Sequence, residues 1–265
     1  MLYRPLFWTS YWCEDWLFSS AYRGASRILI SSASSKTAFC LAYLLRKRII
    51  LGEVNPNIKV VGLTSKKNLG FTTRLGHYHE VLEYGTFTSG STLQGGQGKG
   101  WIYVDVAGNE SLNTRVLAHF ASPYTGNLVA CVSLGLTNVM PASSEASSLD
   151  WTTNSVSTQA SRHASPPTED AVPSPTFWPK FEQFFTVEWL GVRKRQLSIA
   201  DISSRQDQAW KELMKDCVAW VKLDHVRGAN SVKRAYEKVA KDGLGPDRGL
   251  IWSLWGEPAK VNYKL

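Results

Sequence analysis

A doubly wound α/β domain with a parallel sheet is predicted by three features of this sequence. Short apolar runs recur along it, each is followed by a turn of small or polar residues, and helical periodicity resumes after the turn. The runs are Ile28–Ile30, Ile58–Leu63, Trp101–Val106 and Asn127–Leu134, with a shorter one near Glu80–Leu82. Each has the length and composition of a strand buried on both faces. The alternation covers roughly residues 24–140 and gives four or five strands.

Ahead of it, Met1–Tyr22 is crowded with aromatic residues. Trp8, Tyr11, Trp12 and Trp16 have helical spacing, so residues 1–23 are expected to form an aromatic helix against the first strand. Core packing and ligand stacking would both use such a face.

The informative stretch is Arg27–Arg48. Ile28, Leu29 and Ile30 make the strand, Ser31 to Lys36 the turn, and Ala38, Leu41, Ala42 and Leu45 one stripe of a helix that ends on Arg46, Lys47 and Arg48. A strand, a tight turn and a helix N-terminus form the first half of a βαβ unit, whose exposed N–H groups favour a phosphate. The dinucleotide fingerprint places glycines here, whereas this chain has Ser and Ala. With no glycine in the turn, a backbone without positive φ is expected. The same residues also read as a serine-capped helix behind a core strand, with Lys36 solvated.

After the second strand the chain reads Thr64-Ser-Lys-Lys-Asn68. In a dinucleotide fold this position faces the adenosine ribose, where a carboxylate selects a free 2′-hydroxyl and basic or hydroxyl residues accommodate a 2′-phosphate. NADP(H) is therefore expected over NAD(H) if a nucleotide binds. The alternative is a solvated basic helix start. A helix over about Lys67–Leu75 leads to His77 and His79, which lack a third metal ligand and are expected at the surface. Ser89–Gly100 is a Gly/Ser/Gln loop. Asp105, near the end of the Trp101–Val106 strand, either faces the crevice or caps the next turn. A helix over Ser111–Phe120 precedes the strand at Asn127–Leu134.

Residues 141–175 are rich in Ser, Thr and Pro and read as a flexible insertion. The remainder, 176–265, is expected to be mainly helical, with stripes at Trp210–Val221 and Val232–Val239, and to end in a strand at Gly249–Trp255, packing on the same domain.

The chain has 265 residues, 43% of them hydrophobic, and a net charge of +8. The basic residues are scattered among helix ends and loops with no nucleic-acid signature, which argues against a nucleic-acid partner. No apolar run approaches the about 20 residues of a membrane span. The four cysteines are far apart in apolar stretches and read as reduced core thiols, with no metal site among them. A cytoplasmic address is expected.

The segments Tyr3-Arg-Pro-Leu-Phe7, Ser31-Ser-Ala-Ser-Ser-Lys-Thr-Ala38, Val61-Gly-Leu-Thr-Ser-Lys-Lys-Asn68, Val104-Asp-Val-Ala-Gly108 and Gly249-Leu-Ile-Trp-Ser-Leu-Trp255 carry a resemblance. On them the chain resembles a fungal family of unknown function related to the medium-chain dehydrogenase/reductase superfamily, which includes the quinone and enoyl reductases. The resemblance implies a Rossmann-like nucleotide-binding domain over 24–140. Ser34, Ser35 and Lys36 would then lie along the pyrophosphate, and Ser65, Lys66 and Asn68 around the 2′-phosphate. Gly108, Leu134 and Gly135 would lie nearer the nicotinamide. It also implies that the barrel-like N-terminal catalytic domain of the superfamily is missing, and with it one wall of the substrate cleft. A partner subunit, as in a homodimer, or the 142–200 region would cover the open face.

Three functions follow as expectations. The first is an NADP(H)-dependent reductase acting on an activated C=C or C=O of a hydrophobic metabolite in fungal secondary metabolism, with Tyr78, Tyr84, Tyr103 or an N-terminal tyrosine as proton donor. The second is a cofactor-independent cyclase, pericyclase or isomerase for a natural-product intermediate, built on the same fold and using its aromatic surface. The third is a non-catalytic partner protein.

Overall fold

The structure, a computed structural model, describes residues 3–89, 93, 99–106, 108–122, 124–134, 179 and 181–256. The expected insertion at 141–175, Gly135 and much of the loop before Gly100 lie outside the described residues. By its internal contacts the chain divides into two compact units, Tyr3–Gln196 and Leu197–Leu265.

The first unit is built on a six-stranded, wholly parallel sheet. Its strands are β1 (Arg27–Ile30), β2 (Lys59–Thr64), β3 (Glu80–Glu83), β4 (Gly100–Asp105), β5 (Asn127–Ser133) and β6 (Phe181–Gln183), in the order β3-β2-β1-β4-β5-β6. Helices α2 (Lys36–Ile50), α3 (Leu69–Arg74) and α4 (Glu110–Phe120) follow β1, β2 and β4. This is the doubly wound, Rossmann-like arrangement expected. Ile28, Leu29 and Ile30 are fully buried because β1 lies at the centre, paired with β2 on one side and β4 on the other. The chain leaves β1 toward β2 and later returns to β4 on the opposite side, so the topological switch point falls between the C-terminal ends of β1 and β4.

Helix α1 (Arg4–Ser19) has Pro5 in its first turn and buries Phe7, Trp12, Cys13 and Leu17. It packs along α2 and against α5 (Thr186–Gln196). Buried charges fasten both contacts. Arg48 of α2 donates through Nε to both oxygens of Glu14 at 2.7 Å, and the Tyr22 hydroxyl donates to Glu14 at 2.6 Å. From α5, Arg193 donates to both oxygens of Asp15 (2.6 and 2.7 Å), and Trp189 Nε1 donates to Asp15 at 2.8 Å. Desolvation lifts the Glu14 carboxyl above its usual pKa, against the opposing pull of Arg48 and Tyr22.

Between α1 and β1 the backbone makes one left-handed turn, with φ of 47°, 49°, 50° and 71° at Ala21, Tyr22, Arg23 and Gly24. Such a conformation costs each L-residue roughly 1–2 kcal/mol. Compensation comes from the burial of Tyr22 with its bond to Glu14, and from Arg23, which pairs with Glu182 of β6 and stacks on Trp16.

The second unit contains α6 (Ile199–Asp216), capped by Ser198, and a β7–α7–β8 crossover formed by Lys222–Arg227, Ala229–Asp242 and Arg248–Ser253. The terminal strand pairs in parallel with β7 in a two-stranded sheet of its own.

Candidate functional site

The candidate site of the first unit lies where β1, β2 and β4 end. Beyond Ile30 the turn Ser31–Ser35 rises into α2. Ser35 is the helix N-cap, its hydroxyl accepting from Ala38 N at 3.3 Å. The expectation about the turn's backbone is corrected: Ser32 adopts φ 50°, the left-handed conformation for which a glycine is usually used. The strain at Ser32 is held by Tyr84, just beyond β3, whose hydroxyl oxygen accepts from Ser32 N at 3.0 Å and donates to Ser32 Oγ at 3.3 Å. Ala33 N donates to Leu63 O at 2.8 Å, and Tyr78 donates to Ala33 O at 2.9 Å. The fit is close, for a Cβ on Gly62 would lie 2.8 Å from Ala33 Cβ and 2.9 Å from the Tyr78 ring.

The second turn, after β2, sits beside the first. Asn68 Nδ2 donates to Ser34 Oγ at 3.0 Å, so a residue expected along the pyrophosphate touches one expected around the 2′-phosphate. Ser65 and Asn68 are half-buried, Lys66 and Lys67 exposed.

The third turn, after β4, is organised by Asp105. This carboxylate is buried, 1% exposed, and accepts from Ser31 Oγ (2.9 Å), Gly108 N (3.1 Å) and Asn113 Nδ2 (2.7 Å). Ser31 Oγ accepts in turn from Val106 N at 2.9 Å, and Tyr103 donates to Asn113 Oδ1 at 2.7 Å. Of the two readings of Asp105, the structure selects capping of the next turn. Gly108, with φ 66°, needs its glycine to present its N–H to that carboxylate. Leu134 N bonds Asp105 O at 2.8 Å, which places the end of β5 beside this turn. No hydrogen bond among the described residues joins Gly108 or Leu134 to the Ser34–Asn68 pair; both bond Asp105 instead.

The three tyrosines occupy unequal positions. Tyr78 and Tyr103 are buried, their protons committed to Ala33 O and Asn113 Oδ1. Burial raises both pKa values well above the ordinary tyrosine value, with Cys40 the next contributor at Tyr78 and Asp105 at Tyr103. Handing a proton to a substrate from either position would break the hydrogen bond the hydroxyl already makes. Tyr84 is half-exposed, over the Ser31–Ser35 turn. His79, expected at the surface, is half-buried instead and accepts from Val60 N at 2.8 Å through Nδ1. Among the described residues no group of three His, Cys, Asp or Glu side chains could hold a metal, and no helix is long and apolar enough to cross a membrane. The four thiols are free and buried.

The Ser31–Asp105–Asn113 network was hidden from sequence reasoning, apart from Asp105 near the end of the run Trp101–Val106. What these turns can do chemically is receive an anion. They offer serine hydroxyls, the N-terminus of a 15-residue helix and exposed lysines at one corner.

Fold and turns together define a Rossmann-like α/β protein with a serine-built first βα turn. The chain belongs to the family described as "Protein of unknown function (DUF2855)", whose model matches residues 1–245. No curated protein matches it. Among solved structures it is similar to Bacillus subtilis protein yhfP with NAD bound, at 14% identity and a TM-score of 0.47, covering 96% of this chain and 62% of the other. It is also similar to the Salmonella enterica yhdH oxidoreductase in complex with NADP (14% identity, TM-score 0.42, 91% and 60% covered). A third is CurA from Vibrio vulnificus in complex with NADPH (12% identity, TM-score 0.43, 90% and 62% covered). The chain thus spans about three-fifths of the length of these structures.

Proposed function

We propose that this chain binds NADP(H) across the C-terminal edge of its six-stranded sheet and acts as a reductase on an activated C=C or C=O of a hydrophobic metabolite. One observation carries the reading: the Asn68–Ser34 hydrogen bond, which makes a single corner of the phosphate-type turn and the ribose-side turn. Ser34, Ser35 and Lys36 would run along the diphosphate. Ser65, Lys66 and Asn68 would surround a 2′-phosphate, and no carboxylate in Thr64–Asn68 would repel it. Gly108, Leu134 and Gly135 would face the nicotinamide end.

The residues fit the group. The small side chains and the positive φ at Ser32 give the backbone approach that glycine gives elsewhere, and Tyr84 can turn its O–H from Ser32 to a phosphate oxygen. When bound, NADPH supplies a hydride. The chain's part is to hold the phosphates, to select the 2′-phosphate through Lys66 and to keep the three turns in register. Buried free thiols suit the reducing cytoplasmic setting proposed with it.

Calorimetric titration tests the reading. NADPH should bind more tightly than NADH, and Lys66→Glu should weaken NADPH by at least about ten-fold, as loss of a charge-assisted bond does, while leaving NADH nearly unchanged. No heat with either nucleotide at millimolar concentration ends it.

The contact of Tyr84 with Ser32 N favours a second reading, because it already satisfies a donor that a phosphate would use. In that case the chain is the cofactor-free cyclase, pericyclase or isomerase. Turnover of a polyene by nucleotide-stripped protein would support it.

A further inference from the structure

We propose that Asp105 is a positioning residue that holds the first and third turns in register at the switch point, and that Asn113 is its obligatory partner. The proposal rests on the nucleotide reading only for what the turns receive; the link between them is a property of the chain itself.

The hydrogen bonds leave little freedom. Oδ1 of Asp105 accepts from Ser31 Oγ and from Gly108 N, and Oδ2 accepts from Asn113 Nδ2. Ser31 uses its proton on Asp105 and accepts from Val106 N, so one hydroxyl joins the end of β1 to the residue after β4. Asn113 cannot be reversed cheaply, because its Oδ1 is the acceptor for the buried Tyr103 hydroxyl. The direction of each bond therefore depends on position 105 carrying two acceptors and position 113 one acceptor and one donor.

Two exchanges should fail and their combination should succeed. In Asp105→Asn, the new amide donor meets Gly108 N–H, or it meets the Asn113 amide; reversing Asn113 then strips the Tyr103 proton of its acceptor. In Asn113→Asp, two carboxylates face one another where Asn113 Nδ2 had donated, so the bond is lost and like charges repel. In the double variant each of the bonds named above is restored. The amide now at position 105 accepts from Ser31 and Gly108 through its oxygen and donates through its nitrogen to the carboxylate now at position 113. That carboxylate also accepts from Tyr103.

The experiment uses the full chain, with hydrogen exchange at the Val106 and Gly108 amides and NADPH titration measured side by side. Each single variant should speed exchange at these amides by at least about ten-fold, the scale of a lost bond to a charged group, and weaken NADPH by a similar factor. The double variant should return both toward wild type. A merely structural role would leave NADPH affinity unchanged in a variant that stays folded, whereas a positioning role moves exchange and affinity together. Wild-type exchange in Asp105→Asn, or a double variant no better than the worse single one, overturns the proposal. Should Asp105→Asn not fold, Ser31→Ala removes only the bridge, and unchanged exchange at Val106 in that variant is equally fatal. If exchange behaves as expected but wild type binds no nucleotide, the positioning role stands and the nucleotide reading falls.

Discussion

His79 shows how one side chain gives this protein a pH response away from the candidate site. Its Nδ1 must be unprotonated to accept from Val60 N, and Arg46 lies against its Nε2. Burial first, then the charges of Arg46 and Lys59, lowers its pKa from 6.5 to about 4. A group depressed in the folded state contributes stability above its unfolded pKa and loses it as pH falls through the folded one. The fold should therefore weaken between about pH 6.5 and 4. Urea unfolding at several pH values should show His79→Gln, which keeps an acceptor but does not titrate, losing less stability than wild type over that window. Parallel profiles would rule out the contribution. Ser32 belongs at this scale too. Its left-handed φ was invisible in a Ser-Ser-Ala-Ser-Ser run, because the residue that makes it tolerable, Tyr84, lies 52 positions away.

Among the elements, α1 is held by charge as much as by its aromatic face. Removing Arg48 would strip the buried Glu14 carboxylate of its cationic partner and leave it the Tyr22 hydroxyl. Arg48→Met should cost about 3–5 kcal/mol, the usual penalty for orphaning a buried charge, whereas Glu14→Gln combined with Arg48→Met should cost less. Because Glu14 is already shifted upward, the deficit of the single variant should shrink as pH is lowered. Denaturant unfolding of both variants at two pH values decides this. The helix was legible from its aromatic spacing, but of Trp8, Tyr11, Trp12 and Trp16 only Trp12 is buried, and the buried Phe7 was not among them. The strands β6 and β7 were not legible. One has three residues, and the other, Lys-Leu-Asp-His-Val-Arg, has no apolar run to betray it.

For the whole molecule, nucleotide binding is a statement about stability. At about a hundred times its dissociation constant, NADPH would add about 2.7 kcal/mol to the form that binds it. In a chain of this size that raises Tm by several degrees, and an equal concentration of NADH should raise it less. Thermal melts that ignore both nucleotides would agree with the cofactor-free reading. The six-stranded order could be anticipated as a class from alternating strands and helices. The division at Gln196 and the separate pairing of the terminal strand with β7 could not, since a short apolar segment looks the same whichever strand lies beside it.

The sequence by itself determined the local facts: the strand–helix alternation of the first five strands, that β1 is buried on both faces, and that serines and lysines stand at two turns. These follow from periodicity and side-chain chemistry over a few residues. Tertiary structure alone decided that Asn68 reaches Ser34, that Tyr84 holds Ser32, and that Asp105 ties β4 to β1. Those contacts join residues 34, 52 and 74 positions apart. Only the register of a parallel sheet brings such residues within hydrogen-bonding distance, and nothing local in the chain specifies that register.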